Sequence, residues 1–335
     1  MKIDEMKKMK NKDYIVLLPD FDYDIRESVN YSFDNVIDIM SKEKLDQQLR
    51  DCFCYNYNYD NNFIVNNYSD DSETIINFVN KYCKSLILFD YCGLYRKILP
   101  YISKKVQIKW IFRYNMAELT QGLVRLAFHM ITEFYDRDIV NTIGCLDEST
   151  YKVLKNSGYS AKYITLDIKT SKVKNKDSDS IGILSSDREP NHNFYNQLSA
   201  LKLVNYSKVK LLSFMPATDH FVDFFNIKYK KCNTLDEVMK DNFVNLYANF
   251  TFSNIEIILK SMDKGIPCIL GNTDIFDEYP DLKKFLVLNS DDDINELYQK
   301  INNVKENKNR ILKEYANFRK NYTKNSKKLI NKFVK

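Results

Sequence analysis

The side chains best fitted to do chemistry gather in two stretches of the sequence, 185–193 and 251–260. Arg188 is the only arginine between Arg137 and Arg310 and falls in a polar loop, where a planar guanidinium fork can grip a diphosphate. A solvated loop arginine is the plain alternative. His192 reads as a proton carrier or as the polar neighbour of a helix start, and Ser185 and Ser186 as phosphate or base contacts or as turn residues. In the second stretch Ser253 occupies an N-cap position, and Glu256 three residues on completes a Ser-x-x-Glu capping box. As a functional group Glu256 would have to turn toward ribose hydroxyls, because a carboxylate facing a diphosphate is repelled. Lys260 lies one turn later, spaced for an ion pair with Glu256 and also able to offer charge to a phosphate.

Spacing excludes other chemistries. No two of the seven glycines are separated by a single residue, which removes the dinucleotide G-x-G-x-x-G fingerprint, and no Gly-Lys-Ser/Thr exists for a P-loop. Seven cysteines, with Cys52 and Cys54 the only close pair, match neither a disulfide framework nor zinc spacing and read as reduced thiols in a cytoplasm. Asp20, Asp22 and Asp24 read as a polar loop after a strand, and Asp291, Asp292 and Asp293 as carboxylates opening a helix, so no metal is expected. Tyr55, Tyr57 and Tyr59 lack basic interleaving, and the net charge of +5 is dispersed until a Lys/Asn-rich end at 305–335, so no nucleic-acid partner is expected either. The N-terminus lacks a signal-peptide core, and no apolar run approaches the roughly 18 residues of a membrane span.

These side chains need elements to place them. A chain of 335 residues, 44% of them hydrophobic, is enough for two domains with a core each. Short β-branched or aromatic runs alternate with amphipathic stretches, the pattern of βα units on parallel sheets. The expected strands of a first domain, 1–170, are 14–19, 85–90, 107–113, 138–143 and 161–166, with helices at 74–83, 94–103, 117–134 and 148–156. A charged, Ser-rich linker follows at 171–180, then a second domain, 181–309, and a helical tail, 310–335. Its strands are expected at 181–184, 209–214, 245–250, 266–270 and 285–288, with helices at 194–204, 254–264, 294–304 and a separate long one after Arg310. Asp90 and Gly93, and Arg113, Asn115 and Glu118, close two strands of the first domain at ends facing one way. They read as ligand contacts or as polar strand-end loops.

The best-specified unit is 247–272, YANFTFSNIEIILKSMDKGIPCILGN. Ile255, Ile258, Leu259 and Met262 form one helical face, Gly265 stands where the helix must stop, and Pro267 lies just beyond. A strand, a polar loop and a helix ending in S-M-x-x-G-I-P-C-I resemble the C-terminal domain of GT-B glycosyltransferases, particularly the retaining family-4 group, which carries Glu-Ala-Met-Ala-x-Gly-x-Pro-Val here. The segments 181–200 and 285–301 resemble the same domain's first strand unit and its closing strand and helix. The first half resembles the acceptor domain in strand order only.

The resemblance implies two Rossmann-like parallel-sheet domains, a nucleotide-diphosphate sugar as co-substrate in the cleft between them, and no cofactor or metal. The acceptor would be a cell-surface glycan or its lipid-linked precursor, with peripheral association at the inner membrane surface. It places Glu256 and Arg188 at the catalytic centre, Gly182, Ser185, Ser186, His192, Thr251, Ser253, Asn254 and Lys260 on the donor, and Asp90, Gly93, Arg113, Asn115 and Glu118 on the acceptor side. A helix N-terminus and basic side chains would hold the diphosphate. Aligned on Gly265-Ile266-Pro267, however, the family's two glutamates fall at Phe252 and Lys260, and its Arg and Lys fall near Ile183 and His192. An inactive GT-B-like protein that binds a nucleotide or a partner is the alternative, and an unrelated two-domain ligand-binding module a third.

Overall fold

The computed structural model describes residues 13–19, 25–39, 63–65, 72–90, 92–170, 178–185, 187, 192–203, 208–212, 215–251 and 254–335. Ser186, Arg188, Ser253, the 20–24 and 55–59 runs, Cys52, Cys54 and residues 171–177 of the expected linker lie outside them. The chain forms two compact units, one made of Met1–Lys169 with Thr323–Lys335, the other of Thr170–Tyr322. Together they are a GT-B-like α/β fold.

The first unit holds β1 (Tyr14–Pro19), α1 (Arg26–Ser32), β2 (Val36–Ile39), β3 (Phe63–Val65), α2 (Ser72–Tyr82), β4 (Ser85–Phe89), α3 (Gly93–Ile98), β5 (Gln107–Phe112), α4 (Gly122–Asp136), β6 (Thr142–Cys145), α5 (Glu148–Asn156) and β7 (Ala161–Tyr163). Its strands form one parallel sheet in the order β3-β2-β1-β4-β5-β6-β7. Every residue of β1 is buried because both faces of the sheet are covered. Ile15 and Leu17 pack with Leu86, Leu88 and Trp110 on one face, while Tyr14, Val16 and Leu18 pack with Ile87, Phe89 and Ile111 on the other.

The second unit holds β8 (Ile181–Ile183), α6 (Phe194–Leu203), β9 (Val209–Leu211), α7 (Pro216–Phe224), β10 (Tyr229–Lys231), α8 (Leu235–Met239), β11 (Val244–Tyr247), α9 (Ile255–Asp263), β12 (Cys268–Leu270) and α10 (Pro280–Leu286). Its sheet runs β10-β9-β8-β11-β12, again parallel throughout. The last helix, α11 (Ile294–Val334), belongs to the second unit up to Tyr322 and to the first from Thr323. There Ile330 and Phe333 join the first unit's second core face.

Several expected elements differ. The 285–288 strand is the end of helix α10 instead, with only an isolated bridge from Val287 to Leu270. Pro280 opens that helix, and Leu282, Phe285 and Leu286 turn a helical face inward. The two helices expected at 294–304 and after Arg310 are one, since no Gly or Pro interrupts 305–309 and the buried face continues through Leu297, Ile301, Val304, Ile311, Tyr315 and Phe318. The strand expected at 138–143 starts at Thr142, because Asp138 adopts a left-handed φ of 57° that closes α4. The elements β2, β3, α1, α7, β10 and α8 were not expected at all.

Candidate functional site

In the second sheet the strand order reverses between β8 and β11, and the carboxyl ends of two such strands are where open α/β sheets receive ligands in a crevice. Polar side chains fill this place. Ser185, just after β8, donates from Oγ to Oδ1 of Asn249, just after β11, over 2.7 Å. Gln197 of α6, fully buried, donates from Nε2 to Ser185 Oγ (2.9 Å) and to the carbonyl of His192 (3.0 Å), and its Oε1 accepts the N–H of Ala248 (3.3 Å). Asn193, in a left-handed conformation with φ of 51°, donates to the carbonyls of Ala248 (3.0 Å) and Asp291. Asp291 in turn accepts the N–H of Asn272 after β12, and burial pushes its carboxyl above the usual range. Gly271 is needed here, since a Cβ on it would drive into the carbonyl oxygen of Asn249 and crowd Asp291.

The helix that follows β11 starts one residue later than expected. Asn254, not Ser253, is the N-cap, and its Oδ1 accepts the N–H of Glu256 at 2.9 Å. This makes Glu256 the second helical residue, so the Ser-x-x-Glu box gives way to a different use of the carboxylate. Its side chain is 2% exposed and lies 2.6 Å from Lys260 Nζ one turn on. The lysine cancels the charge that would otherwise repel an anion from this helix end, where the dipole is positive.

Gly182 lies in the middle of β8, where a Cβ would collide with Asn245 Oδ1 and Asn242 Nδ2, so close packing requires a glycine there. His192 is half-buried at the α6 entrance, and Thr251 is half-buried two residues past Asn249. Asp187, which sequence reasoning passed over, accepts the Met215 N–H (3.0 Å) and the Thr218 hydroxyl (2.8 Å), capping α7 from outside. Gln197, Asn193 and Asn249 were missed as well, since amides inside an apolar pattern give no signal until the strands are ordered.

In the first unit Asp90 and Arg113 meet at the ends of β4 and β5, with Arg113 Nε 2.7 Å from Asp90 Oδ2. Asn115 and Glu118 form a capping box on the turn Met116–Thr120, the Ala117 N–H on Asn115 Oδ1 (2.8 Å) and the Asn115 N–H on Glu118 Oε1 (3.1 Å). Gly93 opens α3 with open space where its Cβ would be. Among the described residues no three His, Cys, Asp or Glu side chains converge as metal ligands, and no helix is long and apolar enough to cross a membrane.

No protein-family profile matches the chain, and no curated protein matches it in sequence. Solved structures do resemble it in fold. The chain is similar to Anabaena HepE in complex with UDP, with a TM-score of 0.61 and 10% identity over 96% of this chain and 97% of that one. It is similar to sucrose-phosphate synthase of Thermosynechococcus elongatus, with a TM-score of 0.59 and 8% identity over 96% and 94%. The likeness to S. aureus TarM, crystallised with UDP and α-GlcNAc-glycerol, has a TM-score of 0.57 and 14% identity. It covers 74% of this chain, which thus spans about half, 54%, of TarM.

Proposed function

We propose that this chain is a glycosyltransferase of the retaining GT-B type that moves a sugar from a uridine-diphosphate donor to a glycan or lipid-linked acceptor. The observation that carries this reading is the buried polar cluster at the β8/β11 crevice, followed within a few residues by the Asn254-capped start of α9. The crevice offers fixed hydrogen-bonding groups to a nucleotide, and the helix end offers a positive dipole to its diphosphate. That dipole would stabilise the charge gathering on the leaving diphosphate as the glycosidic bond breaks. HepE, similar over nearly its whole length, was crystallised with UDP and also with UDP and glucose. In the second unit His192, at the α6 entrance, would serve the diphosphate, as the resemblance also implies for Arg188, which lies outside the described residues; within the first unit, Asp90 with Arg113 would serve an acceptor.

One observation favours a second reading, a nucleotide-binding protein without transfer activity. Lys260 stands where the family has its second glutamate, and it is spent on Glu256. A thermal-shift series with UDP, GDP, ADP and TDP, then UDP-sugars with product analysis, separates the two. A nucleotide at about a hundred times its Kd adds roughly 2.7 kcal/mol of stability, readable as a rise of a few degrees in Tm. A UDP-specific rise with UDP release from a UDP-sugar supports the transferase. A rise without turnover supports the second reading, and no rise with any nucleotide overturns both.

A further inference from the structure

Building on the nucleotide-sugar reading, we propose that Asn249 is a donor-binding residue, its Nδ2 group donating a hydrogen bond to an oxygen of the bound uridine diphosphate. Asn249 is 4% exposed, and its position is fixed from every side. Its carbonyl rests against the Cα of Gly271, where no larger residue fits. The preceding residue, Ala248, is held through its N–H by Gln197 and through its carbonyl by Asn193. Its own Oδ1 receives the Ser185 hydroxyl, and that hydroxyl is oriented by Gln197. Against all this, the Asn249 Nδ2 donor is buried and has no hydrogen-bond partner. A buried amide donor left unmade costs free energy, and native folds keep such a group where it has a use.

Two features say what that use is. Asn249 lies at the strand-order reversal of the sheet, the place where open α/β sheets receive ligands, and it stands five residues before the Asn254 cap of α9. A rigid donor held by surrounding hydrogen bonds and left with one of its own to give is the arrangement a binding site needs. The partner must be an acceptor, which a ribose hydroxyl or a diphosphate oxygen supplies.

The experiment is calorimetric titration of uridine, UMP and UDP into the full chain and into N249D and N249A. The aspartate keeps the acceptor for the Ser185 hydroxyl but exchanges the donor for a charge that repels phosphate, so its effect on uridine, which carries no phosphate, separates the ligand bond from the internal one. N249A, read at matched temperature below its Tm, serves if the buried carboxylate of N249D prevents folding. The expected result is a weakening of UDP binding by about threefold to tenfold in N249A, the loss of one hydrogen bond, and more in N249D. In N249A, which adds no charge, a loss shared by all three ligands puts the contact on the nucleoside, a loss shared by UMP and UDP puts it on the first phosphate, and a loss for UDP alone puts it on the terminal phosphate. Affinities within twofold of wild type in a folded variant overturn the inference and leave the nucleotide reading standing. A wild-type chain that takes up no uridine nucleotide overturns that reading and this inference with it.

Discussion

Arg113 and Asp90 form a buried ion pair across neighbouring strand ends, with side chains 11% and 2% exposed. The carboxylate is held where it is by its own backbone. Asp90 takes a left-handed φ of 41°, its N–H reaches the Ile111 carbonyl, and its carbonyl accepts the Trp110 indole N–H at 2.8 Å. The guanidinium is held by Tyr114, whose ring centroid lies 4.6 Å below it and whose hydroxyl accepts from Nη2 at 2.9 Å. A pair so tightly fixed orients charge at the strand ends that the proposed acceptor would meet.

Breaking that pair from one side strands a buried charge. R113A is expected to lose about 3–5 kcal/mol, and R113K to recover little of it, because lysine cannot both pair with Asp90 and stack on Tyr114. The double variant D90N/R113M, with no charge left to bury, should be more stable than R113A. Thermal melts of the three variants check the ordering, and R113A melting at the wild-type temperature would remove the pair from the account.

Gly271 and Gly93 make a controlled contrast. G271A pushes a methyl group into the Asn249 carbonyl and toward Asp291, neither of which can yield without dragging β11 or β12. It should cost about 1–3 kcal/mol. G93A faces open space at the start of α3 and should be neutral or stabilising by up to about 1 kcal/mol, through helix propensity. Urea unfolding of both, at one temperature, tests the difference.

Much of this arrangement was legible because parallel strands buried on both faces are written as uninterrupted apolar runs, and β1, β4 and β5 were read from them almost to the residue. The short strands β2, β3 and β10 escaped because three or four residues carry too little pattern, and β10, reading Tyr-Lys-Lys, is a polar edge strand. The start of α9 was misplaced by one residue since Ser253 and Asn254 are both good caps, and only the backbone decides between them. Asp90 and Arg113 were identified singly, but their meeting depends on β4 and β5 being neighbours, which no local spacing states. The steric need for Gly182 was not legible either, because Asn242 and Asn245, which occupy the room a side chain would need, lie far from it in sequence.

The Glu256–Lys260 pair predicts a linked loss of stability and binding. K260M leaves a carboxylate that is 2% exposed without its ammonium partner, at a cost of about 3–5 kcal/mol, and sets a bare negative charge on the helix end proposed to face the diphosphate. The double variant E256Q/K260M should regain most of the stability and the UDP affinity together. A double variant that is stable but still fails to bind UDP would mean that Glu256 or Lys260 itself touches the ligand.

Lys109 gives the chain a pH dependence of definite sign. Its ammonium is buried in β5 and donates to the carbonyls of Phe333 (2.7 Å) and Val334 (3.0 Å), closing the C-terminal end of α11, while Phe333 fills the space left open by Gly144. Burial, with a smaller contribution from Lys162, lowers its pKa from 10.5 to about 8. The folded chain therefore gives up this proton at lower pH than the unfolded chain does. Between about pH 8 and 10.5 the unfolded state holds more protons at this site, so the Lys109 contribution to stability rises with pH across that window. It is complete above 10.5 and lost as pH falls through 8. Buried cysteines act the other way, since Cys83 and Cys145 are pushed up to about 12 and favour unfolding as pH climbs past their ordinary value of 9.0. The wild-type curve alone is thus a sum, and the measurement is a difference: Tm against pH from 7 to 10.5 for wild type minus K109M. The difference should rise with pH from 8 upward, and a flat difference would place the Lys109 pKa in the fold at its unfolded value.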